Sequence, residues 1–206
     1  NSILNINNYY FYTYLTNISS VYSNEYSYAA LTNSNNVVAW GDPSYGGNLE
    51  IDLDNIQEIC STQKAYAALK GDGSIYTWGD PSYGGYSNDI SDQLLNIVEV
   101  YSTNSAFAAL TSERNVITWG DPSYGGTLGD ISLTNVYNIF SNKYSFAAIL
   151  DDSNEVITWG DPSYGGDSTN VDVSNNISHI FSNEYAFTAI KNDNTIVTWG
   201  GDNSGG

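Results

Sequence analysis

The octapeptide WGDPSYGG fills residues 40–47 and returns unchanged at 78–85, 119–126 and 159–166, while WGGDNSGG stands at 199–206 as a fifth, altered copy. The tryptophans that open the copies, Trp40, Trp78, Trp119, Trp159 and Trp199, are 38, 41, 40 and 40 residues apart. A period this regular dictates a repeat architecture before any local propensity is weighed. Each unit also repeats three apolar runs. In the second unit they are IQEICST at 56–62, AYAALK at 65–70 and SIYTWG at 74–79, and the other four units carry matching runs.

The runs are short, β-branched or aromatic, and bounded by Gly, Asn, Asp and Ser, which marks them as strands. None places apolar residues at helical spacing over a helix-sized window. The second and third runs are joined by segments such as GDG and SERN, residue types that tolerate the positive φ of hairpin turns. The expectation is an all-β fold: a β-propeller-like array of five three-stranded antiparallel blades of about 40 residues. A lone three-stranded sheet cannot bury both faces, so the units must stack face to face. The repeat domain is placed at 15–206. Residues 1–14, which include most of the aromatic run NYYFYTYLTN at 8–17, are expected to be a strand-like extension. That strand would cover an edge, widen a blade or pair with another molecule.

One unit read whole, AFAALTSERNVITWGDPSYGGTLG at 106–129, carries a resemblance. Its alanine-leucine strand, hairpin, valine strand, Trp-Gly turn and glycine pair are similar to the repeat of the regulator-of-chromosome-condensation family. The three-stranded unit is closer still to the β-lactamase-inhibitor-type propellers of that superfamily. The resemblance covers 15–206 and implies a propeller fold. The family's Asn after Trp-Gly is Asp-Pro here, its Gly-Gln-Leu-Gly is reduced to Gly-Gly, and its strand histidine is Ala or Ser. Family members usually close with seven blades, against five here. Nucleotide-exchange activity and enzyme inhibition are therefore not carried over, since a fold does not fix a function.

Within the repeated octapeptide, Asp and Pro suit a turn and the glycines permit positive φ. A turn alone does not fix the tyrosine. Tyr45, Tyr83, Tyr124 and Tyr164 are expected to pack on the linker or blade that follows; the competing reading is a ligand-binding ring of these tyrosines with Asp42, Asp80, Asp121 and Asp161. The last copy favours the first. It keeps Trp199 and the Gly pair but loses Pro and Tyr where no further unit follows in this sequence.

The rest of the sequence offers little chemistry. His179 is the only histidine and Cys60 the only cysteine, so neither a zinc set nor a His-based triad with Cys can be assembled. His179 aligns with Ser20, Glu58, Glu99 and Asn138, which reads as a polar position. Cys60 aligns with Tyr22, Tyr101, Phe140 and Phe181, which reads as an apolar slot. Carboxylates are plentiful enough for a glycosidase pair, but Asp42 and its equivalents are repeated turn residues, not a unique couple. No cofactor is expected; calcium is the one candidate, through linker acids such as Glu50, Asp52 and Asp54, although their spacing fits no known calcium loop.

A formal net charge of −18, from 5 Lys+Arg against 23 Asp+Glu, disfavours nucleic acid and anionic membrane. No apolar run is long enough to span a bilayer as a helix. There is no Met anywhere, which reads as a mature form or a fragment of something longer. Two N-x-S sequons, at Asn17 and Asn176, are possible N-glycosylation sites. These features together suggest an extracellular or cell-surface, non-enzymatic structural or protein-interaction module. Its partners would be proteins, or copies of itself joined through repeat faces and the N-terminal strand. The alternative is a multivalent carbohydrate-binding propeller. Closure of the five blades into a ring within one chain is slightly favoured over an open array able to join head to tail into filaments.

Overall fold

The computed structural model describes residues 15–206; the expected N-terminal strand at 1–14 lies outside the described residues. The chain is a propeller-like array of five antiparallel three-stranded sheets, each made of consecutive strands. Blade 1 holds β1 (Ile18–Ser23), β2 (Ser27–Thr32) and β3 (Val37–Gly41); blade 2 holds β4 (Ile56–Ser61), β5 (Ala65–Lys70) and β6 (Ile75–Gly79). Blade 3 is β7 (Ile97–Ser102), β8 (Ala106–Thr111) and β9 (Val116–Gly120). Blade 4 is β10 (Val136–Ser141), β11 (Ser145–Leu150) and β12 (Val156–Gly160), and blade 5 is β13 (Ile177–Ser182), β14 (Ala186–Lys191) and β15 (Ile196–Gly200). Among the described residues no helix is long and apolar enough to cross a membrane.

Each blade is entered through an asparagine in the left-handed region: Asn17, Asn55, Asn96, Asn135 and Asn176 have φ between 55° and 60°. Asn adopts this conformation more readily than other residues with a Cβ. Its carbonyl then accepts an N–H from its own blade's hairpin, as Asn55 does from Gly71 at 2.8 Å. The two sequon asparagines are thus members of a structural series, and both are exposed.

Packing is between blades. The face of blade 1 that carries Ala29, Leu31 and Val37 meets Ile56, Ile59, Tyr66, Ala68 and Trp78 of blade 2, with Leu53 of the linker wedged between. Equivalent apolar clusters join blades 2 and 3, 3 and 4, and 4 and 5. The aromatic at the start of each middle strand anchors its seam. Tyr66, Phe107, Phe146 and Phe187 are fully buried and each stacks on its own blade's tryptophan at 4.9–5.4 Å.

Three hydrogen bonds recur at all four seams. The indole N–H of Trp78, Trp119, Trp159 and Trp199 donates to the carbonyl of Gly46, Gly84, Gly125 and Gly165 in the preceding turn, at 3.0–3.2 Å. The first N–H of each later blade, from Ile56, Ile97, Val136 and Ile177, donates to the preceding hairpin. Nearer the axis, a ladder runs Glu25 N–H to Gln63 O, Gln63 to Asn104, Asn104 to Lys143 and Lys143 to Glu184.

Among the described residues the ladder does not return from blade 5 to blade 1, so they do not form the closed ring that the sequence slightly favours. Among the described residues no apolar cluster joins blades 1 and 5. Val21 and Tyr28 on one end face are 57% and 48% exposed, and Phe181 and Ile196 on the other are 57% and 67% exposed. Their repeat equivalents Ile59, Tyr66 and Val156 are buried in seams. Among the described residues the five blades bury four seams, and no described residue packs over the outer face of blade 1 or of blade 5.

Candidate functional site

The repeated octapeptide forms the same structure four times. Asp42, Asp80, Asp121 and Asp161 cap a short 3-10 turn, each side chain accepting the backbone N–H of the serine two residues on, at 2.8–2.9 Å. Pro occupies the first position of that turn, where no N–H is needed. The turn ends on a left-handed glycine, Gly84 with φ 86°, and a Cβ there would lie 2.7 Å from the Phe107 ring of the next blade. The second glycine is needed for a different reason: a Cβ on Gly85 would lie 2.5 Å from backbone atoms of Gly79. The sequence suggests positive φ for both glycines; close approach explains the second.

The tyrosine of the turn is held by its backbone and displayed by its ring. The Tyr45 carbonyl accepts the Asn24 side-chain amide and the Ser27 hydroxyl, both at 2.7 Å. Thr62 and Thr103 hold Tyr83 and Tyr124 in the same way, and Asn142 holds Tyr164. Asn183 makes this bond to the Ser204 carbonyl at 2.7 Å, so the altered last copy keeps the anchor without the ring. The rings of Tyr83 and Tyr124 pack half-buried at the edges of the seams that follow them.

A residue that the sequence did not single out fills the spaces between these rings. It comes from the loop between first and second strands: Tyr26, Lys64, Ser105, Tyr144 and Tyr185 in blade order. Tyr26 lies 4.6 Å from Tyr45. Lys64 sets its ammonium 4.6 Å from the centre of the Tyr83 ring, 5.2 Å from Tyr45 and 5.8 Å from Tyr26. The hydrogen bond to Tyr83 holds the Lys64 ammonium above its ordinary pKa. Tyr144 stacks on Tyr164 at 4.4 Å and on Tyr124 at 5.5 Å, and Tyr185 extends the stack at 5.7 Å. The result is a half-exposed rim of phenol rings along one edge of the array. Such rings offer negative faces to cations and flat apolar faces to other planar groups. The signal for this rim was the loop position itself, which is hidden in sequence because Lys and Ser interrupt the tyrosines.

Beside the rim lies a polar groove of about 510 Å³, lined by residues that include Ser23, Glu25, Gln63, Asn104 and Lys143. Lower on the same strands, burial together with the Glu99 carboxylate raises the pKa of Glu58. Cys60 sits in its apolar slot, where burial pushes the thiol up to about 11. His179 is exposed beside Phe181. Of the linker acids, Asp54 pairs with Lys70, and Asp172 pairs with Lys191, which holds its carboxyl down near 2. Among the described residues no three His, Cys, Asp or Glu side chains group as a metal site would require.

No protein-family model matches the chain, and no curated protein sequence does. Solved structures do match. Human WBSCR16 superposes with a TM-score of 0.60 at 16% identity, over 89% of this chain and 61% of that one. Prp20p from Saccharomyces cerevisiae gives 0.56 at 13% identity, over 89% and 58%. The ectodomain of the Physcomitrella patens receptor kinase CR4 gives 0.63 at 18% identity, over 89% and 53%. The chain therefore spans between about half and three fifths of the length of these three solved chains. At these identities the likeness concerns architecture, and the architecture is that of the RCC1-like repeat propellers.

Proposed function

We propose that this chain is a non-enzymatic protein-interaction module, working outside the cell or at its surface, whose tyrosine rim receives a basic segment of a partner protein. The observation that carries the reading is Lys64, a lysine of the chain itself seated over three tyrosines of the rim. An ammonium between phenol faces is the contact that a partner's lysine or arginine would reproduce along the rest of the rim. The net charge of −18 would draw such a segment in. Proteins of the same fold provide precedent for protein partners: yeast Prp20 has been solved bound to Kap60, and Prp20p has been studied for binding to Gsp1p and histones. The exposed sequon asparagines and the acidic surface support the extracellular setting.

A hexalysine peptide titrated against the chain, with hexaglutamate as control, tests this reading. Tyr144→Ser installs the type of residue that blade 3 carries at this loop position, so the fold has an internal precedent for it. Expected is hexalysine binding that Tyr144→Ser weakens while the melting temperature holds. Binding that is unchanged by Tyr144→Ser and lost in moderate salt would be charge attraction alone and would refute the rim's role. A second reading rests on the packed trio Tyr144, Tyr164 and Tyr185, whose flat faces would suit a sugar ring. Saturation-transfer contacts from oligosaccharides to these tyrosines would favour that carbohydrate-binding alternative.

A further inference from the structure

We infer that the two end faces of the array are a matched pair, and that the blade-5 face of one copy receives the blade-1 face of a second copy, head to tail, as a fifth seam. This does not depend on the tyrosine rim, so either can fail without the other.

Such a junction would continue an interface that the chain already builds four times. The blade-1 face offers the receiving half of every internal seam: Val21 stands where Ile59 stands in blade 2, Tyr28 where Tyr66 stands, and Trp40 where Trp78 stands. Tyr28 already stacks on Trp40, with ring centres 5.4 Å apart, as Tyr66 does on Trp78 at 4.9 Å. The blade-5 face offers the other half, with Ile196 in the position of Val156 and Phe181 in that of Phe140. Large apolar side chains at these exposures form the two halves of a core.

The polar groups are matched too, and in opposite senses at the two ends. Across a seam, among the described residues, the Trp40 indole N–H and the Ile18 N–H have no acceptor on the blade-1 side. On the blade-5 side, the carbonyls of Gly205 and Asn194 occupy the accepting positions and, among the described residues, receive no donor. The axial ladder ends in the same way, with the Glu184 N–H at one terminus and the Glu25 carbonyl at the other. Each donor left at one end thus has its acceptor at the other. A face that is complementary to a different face, and not to itself, makes a heterologous contact.

One feature makes this junction weaker than the internal seams. Within the chain, Glu25 is met by the Gln63 side chain and Glu184 by Lys143. In the junction Glu184 would lie beside the second copy's Glu25, carboxylate against carboxylate. Added salt should therefore strengthen association, and Glu25→Gln should tighten it by about 2- to 5-fold, the scale of one exposed charge pair.

The test uses two surface variants, Val21→Asp and Ile196→Asp, at positions already exposed in the single chain. Sedimentation velocity of the full chain across a concentration series should show species at integral multiples of 22.4 kDa. Each variant alone should be monomeric. Mixed, they should form a one-to-one dimer and nothing larger, because each blocks a different end. A single monomeric species for the unmodified chain at every concentration and salt would overturn the inference. So would dimers of Val21→Asp alone, which would show a face pairing with itself. A chain lacking residues 1–14 that polymerises while the full chain stays monomeric would also overturn it, by assigning the blade-1 face to the chain's own N-terminal segment.

Discussion

Replacing Trp119 by Phe isolates one seam. The indole is 5% exposed and its N–H donates to Gly84 O at 3.1 Å. Phe keeps a ring to stack beneath Phe107 but leaves the Gly84 carbonyl without its donor. A buried acceptor stranded in this way costs about 1–3 kcal/mol. The smaller ring also leaves space, at roughly 24 cal/mol per Å³ of residual cavity, which adds about 1 kcal/mol if little of the space collapses. The sum is about 2–4 kcal/mol. At a urea slope near 2 kcal/mol/M that is a midpoint shift of about 1–2 M. The internal control is Trp40→Phe. Trp40 is the same residue on the same strand position, but among the described residues no blade packs before it, it is only half-buried, and its indole makes no hydrogen bond. Its replacement should shift the midpoint by less than about 0.5 M at concentrations where the chain is monomeric. The assay is urea unfolding followed by tryptophan fluorescence and far-ultraviolet dichroism together, because a repeat array can unfold in stages. Equal shifts for the two variants would refute the idea that the preceding blade gives the tryptophan its energetic weight.

Three further expectations can be checked by similar means. Gly84→Ala should cost more than Tyr83→Ala, about 2–5 against about 1–2 kcal/mol, because the first forces a Cβ into the Phe107 ring at positive φ while the second removes a half-buried ring; urea midpoints in the reverse order would contradict this. The pKa of Glu58 is raised in the folded chain, so the folded state binds the proton more tightly and stability from this group rises as pH falls through that raised pKa. Glu58→Gln should therefore be more stable than the parent at pH 7, with the advantage vanishing in acid, and thermal melts across pH would expose a gap of the wrong sign. Chelation should leave the melting temperature where it is; a drop that added calcium reverses would show that the linker acids bind the ion.

The strands were legible because every blade repeats a burial pattern written in alternating side chains: Ala67 and Leu69 face one way, Tyr66 and Ala68 the other. The turns were legible from Asp-Pro and the first glycine. Other features were not, for identifiable reasons. The second glycine answers to a backbone that lies next to it in space, six residues earlier in sequence. The asparagines that open each blade look like ordinary polar loop residues until their φ is known. The rim was hidden because its second set of members, from Tyr26 to Tyr185, varies among Tyr, Lys and Ser. The open ends were hidden for the opposite reason. Val21 and Tyr28, or Phe181 and Ile196, repeat the apolar pattern of buried seams, so the sequence reads as though every face had a neighbour. Besides the altered last octapeptide, Thr188, where the other blades place a buried alanine, hints that the last face differs.

The openness of the array can be measured within a single molecule. Spin labels on the exposed hairpin residues Ser34 and Asp72, in a Cys60→Val background, report the spacing of neighbouring blades. The same labels on Ser34 and Asp193 report the spacing of the two ends, and dilution with unlabelled chain removes contributions between molecules. Pulsed dipolar spectroscopy should give a distance for the end pair clearly longer than for the neighbouring pair. Equal distances would mean that blade 5 sits against blade 1 as blade 2 does, and that the chain closes into a ring.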